Sequence, residues 1–184
     1  DDSPGKDVVE DLARGGVSTH LVRMIKGGET AYSTLLTMKD GERTVLVYRG
    51  TSGNFSAKDI QASIFEQTRW IYLTSLGGNL ALSKKIVSQA HDAGVKVAWN
   101  PGHEELSVGL ESFKSVLTMV DVLIMNKEEG QLLTGKKKIQ QMFKALRTPG
   151  VVHVFTDGTE GSWVQRDELS AHAGPSGVRA VSRT

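Results

Sequence analysis

Four short apolar runs, each closed by a polar residue and separated by helix-patterned stretches, constrain this chain more than any other feature. They are Trp70 to Leu73, Val95 to Trp99, Val122 to Met125 and Val151 to Phe155. Between the first two, Asn79 is placed to cap a helix whose Leu82, Ile86, Val87 and Ala90 form one stripe, with Gly94 at its end. A helix near Glu111 to Met119 carries Phe113, Val116 and Leu117. Another runs from Lys127 to Leu133. In the next, Ile139, Met142, Phe143 and Leu146 fall at helical spacing before Pro149-Gly150. Alternating strands and helices with nearly continuous apolar strands predict a mainly parallel sheet covered by helices on both faces. Beyond Gly161, Ser162 to Gln165 reads as an antiparallel return.

Open α/β sheets bind ligands just outside the carboxyl ends of their strands. Three of these strands end on residues suited to that rim: Asn100-Pro101-Gly102, Asn126 with Glu129 three positions on, and Thr156-Asp157-Gly158. The candidate active site is therefore placed there. Asn126-x-x-Glu129 has two readings. It is close to a helix capping box, and it is an amide and a carboxylate able to orient phosphate oxygens and a hydrated Mg²⁺. Both can hold, because a capped helix start also favours anions. Thr156 to Gly161 reads either as a plain turn or as a phosphate cradle, in which Gly158 and Gly161 let the backbone approach and Thr156 adds a hydroxyl. Asn100 ends a strand and could point into the cleft.

The first part of the chain is patterned differently. Ser3 and Pro4 suit the N-cap and first position of a helix bearing Val8, Val9 and Leu12, which Gly15-Gly16 stops. Three strand-like runs follow, His20 to Ile25, Thr30 to Met38 and Arg43 to Tyr48, separated by Gly27-Gly28 and by Asp40-Gly41, a hairpin signal. Such a sheet suits either a cover over a cleft or a hairpin packed on the core. Gly50 to Asn54 is a loop, and Ser56 is placed to cap a short helix.

Several classes are disfavoured. The formal net charge of the 184 residues is +1, which argues against a nucleic-acid or membrane partner held by bulk electrostatics. There is no cysteine, which excludes disulfides and cysteine metal sites and fits a cytoplasmic protein. No apolar run nears the roughly 18 residues of a membrane helix. Gly130 to Lys137 has the spacing of a P-loop but ends on lysine and follows a helix, so the match is spurious. His20, His91, His103, His153 and His172 have no metal-ligand spacing.

Taken in order, these stretches resemble the ribokinase (PfkB) family of carbohydrate kinases. Asp1 to Gly5 with Gly16-Val17 is similar to the family's segment before its lid. Gly28-Glu29-Thr30 resembles the opening of the lid strand, and Gly41 to Arg43 with Arg49-Gly50 the strand and loop after it. Asn100-Pro101-Gly102, Asn126-x-x-Glu129 with Leu133-Thr134-Gly135, and Thr156-Asp157-Gly158-x-x-Gly161 complete the set. The resemblance implies a ribokinase-like, doubly wound α/β fold, with residues 1–18 and 49–184 in the kinase core and 19–48 as a small antiparallel β lid. It implies transfer of phosphate from ATP to a hydroxyl of a small sugar or related carbohydrate. The alternatives are a nucleoside kinase of the same family and a non-catalytic nucleotide- or sugar-binding protein. Asn126 and Glu129 would hold the phosphate and Mg²⁺ water network, with Glu129 reaching the metal through water. Thr156, Gly158 and Gly161 would meet ATP, and Thr30, Tyr32, Ser75 and Asn100 the sugar. The family's catalytic base belongs to a Gly-Ala-Gly-Asp motif expected beyond Thr184, so the chain is expected to be a central, inactive piece. Ser182 and Arg183 depart from the pattern where a monovalent cation would be held. Lid sheets in the family can pair, which makes a homodimer an expectation as well.

Overall fold

The computed structural model describes residues 1–38, 43–175 and 177. Its contacts form two units, Asp1–Phe55 and a second that begins at Ser56. Helix α1 (Ser3–Arg14) groups with the lid-like strands of the first unit rather than with the large sheet. Its N-cap is Asp2, not Ser3 as the sequence led us to expect. Both residues can cap, and a contact 28 residues away decides between them. One Asp2 oxygen accepts from the Gly5 N–H at 3.1 Å and from the Thr30 hydroxyl at 2.5 Å, and the other accepts the Thr30 N–H at 2.7 Å. The Thr30 hydroxyl is the largest influence holding the Asp2 carboxyl at about 2, below its ordinary 3.8.

The run from His20 to Ile25 is not a strand. A turn closes on it, with the Val22 N–H donating to the Thr19 carbonyl at 2.9 Å. Its apolar residues Leu21, Val22, Met24 and Ile25 resemble those of a strand, but it pairs with no strand among the described residues. The other two runs pair as expected: β1 (Tyr32–Thr37) lies antiparallel to β2 (Arg43–Tyr48), from Tyr32 opposite Tyr48 to Thr37 opposite Arg43. Strand β1 starts two residues later than the pattern suggested and is exposed along its length. The Asp40-Gly41 turn lies outside the described residues.

In the second unit Ser56 caps as expected, though the turn it starts (Ala57–Asp59) is 3-10; the Asp59 carboxylate accepts the Ser56 N–H at 2.7 Å. The alternating part then unrolls as β3 (Trp70–Leu73), α2 (Leu80–Asp92), β4 (Lys96–Trp99), α3 (His103–Leu106), α4 (Leu110–Leu117), β5 (Val122–Asn126), α5 (Lys127–Thr134), α6 (Ile139–Leu146) and β6 (Val152–Thr156). Strands β7 (Ser162–Arg166) and β8 (Leu169–Ala173) follow. The sheet order is β3-β4-β5-β6-β7-β8, parallel through β6 and antiparallel after it.

A parallel order that advances in one direction, with right-handed crossovers, carries its helices on one face. Burial agrees. Leu73, Val97, Trp99, Leu123, Met125, His153 and Phe155 are buried, whereas Ala98, Ile124 and Val154 on the alternate positions are half-buried and Tyr72 is exposed. The helices described in this unit thus supply the expected cover on one face. Helix α2 buries Leu82, Ile86, Val87 and Ala90, and α6 buries Ile139, Met142, Phe143 and Leu146. Each large aliphatic side chain contributes roughly 2 kcal/mol on leaving water. Trp99 stacks on Phe113 at 5.1 Å, and Phe143 meets Phe155 edge-on at 5.0 Å. No helix among the described residues is long and apolar enough to cross a membrane.

Candidate active site

Strand register builds the rim. In the parallel pair β5–β6, Asn126 is the partner of Thr156, so the last residues of both strands stand side by side, about 4.8 Å apart across the ladder. The β4 end is tied in as well. The Asn100 N–H donates to the Leu73 carbonyl at 2.8 Å, and its side-chain amide donates to the Ile124 carbonyl at 2.9 Å. The Asn100 NH₂ therefore stitches β4 to β5, which leaves its oxygen as the atom available to a ligand.

Asn126 caps α5. Its Oδ1 accepts the Glu129 N–H at 2.8 Å, while Glu129 Oε2 accepts the Asn126 N–H at 2.8 Å. The capping-box reading of this motif is thus realised in full. The second carboxylate oxygen of Glu129 and the NH₂ of Asn126 take no part in it. Directly after these positions, Lys127 Nζ meets Asp157 Oδ2 at 2.6 Å and joins the start of α5 to the turn after β6. Sequence reasoning passed over this pair, whose partners stand 30 residues apart.

The turn Gly158–Glu160 is 3-10. The Asp157 N–H donates to Gly161, Glu160 to Asp157 and Gly161 to Gly158. Gly158 and Thr159, both exposed, hold the turn's other two amides. Gly161 has φ +87, and a Cβ there would collide with the Ala173 carbonyl of β8. Its glycine is required by that close approach as well as by the backbone conformation. Across the same hairpin Trp163 stacks on His172 at 4.3 Å, and His172 Nε2 lies 2.8 Å from the Glu160 carbonyl.

Ser75 stands at the other end of the rim, just past β3, and is held by Glu105 of α3. Neither α3 nor Glu105 was anticipated. The only sequence signal was a glutamate three positions after Gly102, the spacing of a cap. Ser75, Asn100, Asn126, Glu129, Thr156, Gly158 and Gly161 all belong to the second unit and line the carboxyl ends of its parallel strands. Thr30 and Tyr32 belong to the first unit, where Thr30 is bonded to Asp2 and Tyr32 packs against Tyr48 at 5.6 Å. Ser182 and Arg183 lie outside the described residues. A cavity of about 780 Å³ opens at the opposite end of the strands, between Phe65, Arg69, Trp70, Gly94 and Lys96, away from these groups.

Among the described residues no three acidic or imidazole side chains gather into a metal cage. Mg²⁺ needs none, because it keeps several waters and is held by one or two carboxylates together with phosphate. The uncommitted Glu129 oxygen fits that mode.

The mainly parallel sheet, its covering helices and the rim define an α/β fold of ribokinase type. Solved structures share it. Adenosine kinase from Sinorhizobium meliloti superposes with a TM-score of 0.79 at 23% identity, over 98% of this chain and 57% of that one. The PfkB protein from Polaromonas sp. JS666 gives 0.78 at 19% identity, over 94% and 63%. The model of the pfkB family carbohydrate kinases matches residues 1–184, and the chain belongs to that family. An ATP-dependent ribose-1-phosphate kinase of Halopiger xanaduensis is 31% identical over 129 residues, 70% of this chain and 42% of its own. Mouse ribokinase is 21% identical over 136 residues, 73% of this chain and 41% of its own. The chain thus spans about two fifths of the length of these two relatives.

Proposed function

We propose that this chain is the central part of an ATP-dependent kinase that phosphorylates a hydroxyl on a small sugar, a sugar phosphate or a nucleoside. One observation carries the reading. The Asn126–Thr156 register sets the capped start of α5 beside the Thr156–Gly161 turn at the carboxyl ends of parallel strands, in a member of the pfkB family. Amides and a hydroxyl from the turn would receive nucleotide phosphates, and Glu129 would hold Mg²⁺ through water. The metal would neutralise phosphate charge when bound. Phosphoryl transfer depends mainly on positioning and charge stabilisation, which rigid strand ends supply. Ser75 and the Asn100 oxygen are assigned to the phosphoryl acceptor. The exposed β1–β2 ribbon supports pairing of two copies.

The test is ADP release by the full-length natural protein with Mg²⁺–ATP and a panel of D-ribose, ribose 1-phosphate, D-fructose and adenosine. Release that depends on one of these acceptors is the expected result. Mg²⁺–ATP binding with no acceptor-dependent release would replace the kinase by a binding protein.

A further inference from the structure

Glu105 is a fully buried carboxylate at the rim, and the function proposed above does not use it. Its Oε1 accepts from the Leu76 N–H at 2.7 Å, the Gly78 N–H at 3.1 Å and the Ser75 hydroxyl at 3.0 Å. Its Oε2 accepts from the Ser75 hydroxyl at 2.8 Å and the Gly102 N–H at 3.1 Å. Burial opposes its ionisation, but the Ser75 hydroxyl and the amides of Leu76 and Gly78 outweigh that and hold the carboxyl below its ordinary value. The approach is too close for any side chain at Gly102, where a Cβ would stand 2.6 Å from the Ser75 Cβ. One carboxylate thus ties the loop after β3 to the loop after β4.

The bonding also fixes the polarity of Ser75. An ionised carboxylate only accepts, so Ser75 must donate its single proton to Glu105. The Gly77 N–H, at 3.2 Å, occupies one of the two lone pairs on Ser75 Oγ. The other remains, and Ser75 is exposed at the rim.

We propose that Glu105 is a positioning residue that fixes the Ser75 hydroxyl as a hydrogen-bond acceptor, so that this point of the rim takes an O–H or N–H donor of the phosphoryl-acceptor substrate. The substrate half rests on the kinase reading. A free serine would take a donor or an acceptor alike. Held by Glu105, it disfavours a ketone, ether or halogen at that place.

Two measurements on the full-length protein test this. Amide hydrogen exchange in Glu105→Gln should quicken by at least about tenfold either at Gly102 or at Leu76 and Gly78, because glutamine keeps one oxygen and turns its NH₂ toward the donors on the other side. Ser75→Ala should leave those amides protected. Unchanged exchange in Glu105→Gln would overturn the clasp. For polarity, kcat/KM is compared for monodeoxy and monofluoro forms of the panel substrate with the highest turnover. At one position wild type should lose about tenfold with both analogues, since fluorine cannot donate, and Ser75→Ala should not discriminate there. If no position shows that pattern, or if fluorine is tolerated well above hydrogen where Ser75→Ala abolishes the difference, the acceptor assignment is wrong. If wild type turns over no panel substrate, the kinase reading falls and the substrate assignment with it, while exchange still judges the clasp.

Discussion

Asn126 and Glu129 hold each other across the first turn of α5, each side chain accepting the other's backbone N–H at 2.8 Å. Structure and proposed chemistry therefore share one motif, and substitutions can separate them. Glutamine serves in a capping box as well as glutamate. Glu129→Gln should therefore shift stability by less than about 0.5 kcal/mol. Glu129→Ala removes the back-bond to Asn126 and should cost about 1 kcal/mol, read from urea denaturation of both variants. A loss in Glu129→Gln as large as that in Glu129→Ala would mean that the charge, not the bond, holds the helix start.

His153 makes stability pH-dependent. Burial pushes its imidazole down to about 4 from the ordinary 6.5, and its Nε2 has no hydrogen-bond partner among the described residues. The unfolded chain binds the proton first, so between pH 6.5 and 4 it holds more protons than the fold does. The contribution is complete above 6.5, declines as the pH falls and is gone below about 4. The span corresponds to about 3 kcal/mol. In His153→Phe this part of the slope should vanish. An unchanged acid slope in the variant would assign it to carboxylates instead.

The two glycines of the β6–β7 turn should respond differently to alanine. At Gly161 a methyl meets the Ala173 carbonyl, so Gly161→Ala should cost more than about 2 kcal/mol. At Gly158 φ is +47 and the space is open, so the cost is the backbone strain of about 1 kcal/mol. Nucleotide affinity measured on Gly158→Ala then reports on the turn without loss of the fold. Equal destabilisation of the two variants would contradict the account of the turn.

The second unit was largely legible because its signals are local. Asn79 and Asn126 cap the helices that follow them, and the apolar stripes of α2 and α6 turned out to be buried. What escaped depends on partners distant in sequence. Asp2 outcompetes Ser3 as a cap because Thr30 folds back onto it, and His20 to Ile25 meets no strand partner among the described residues. Glu105 reads on paper as one more surface carboxylate beside His103 and Glu104. Its burial follows from four donors on two loops, Ser75, Leu76, Gly78 and Gly102, which converge only when β3 and β4 align. The Lys127–Asp157 pair escaped for the same reason.

The 184 residues contain no Gly-Ala-Gly-Asp, the motif that supplies the base in the family this chain resembles. The isolated chain is therefore expected to release no ADP in the presence of Mg²⁺–ATP and any panel substrate. Sustained acceptor-dependent release by the pure chain would show that a residue within it acts as the base.

In the function proposed for this chain, the strand-end rim around Asn126, Glu129 and Thr156 is the phosphate side of a kinase. The most direct measurement is the turnover of Glu129→Gln against wild type in the full-length protein at saturating Mg²⁺–ATP and acceptor. kcat should fall at least about tenfold, or roughly 1.4 kcal/mol of barrier, with stability unchanged. Equal kcat in the two proteins would leave Glu129 as a helix cap alone and contradict the claim.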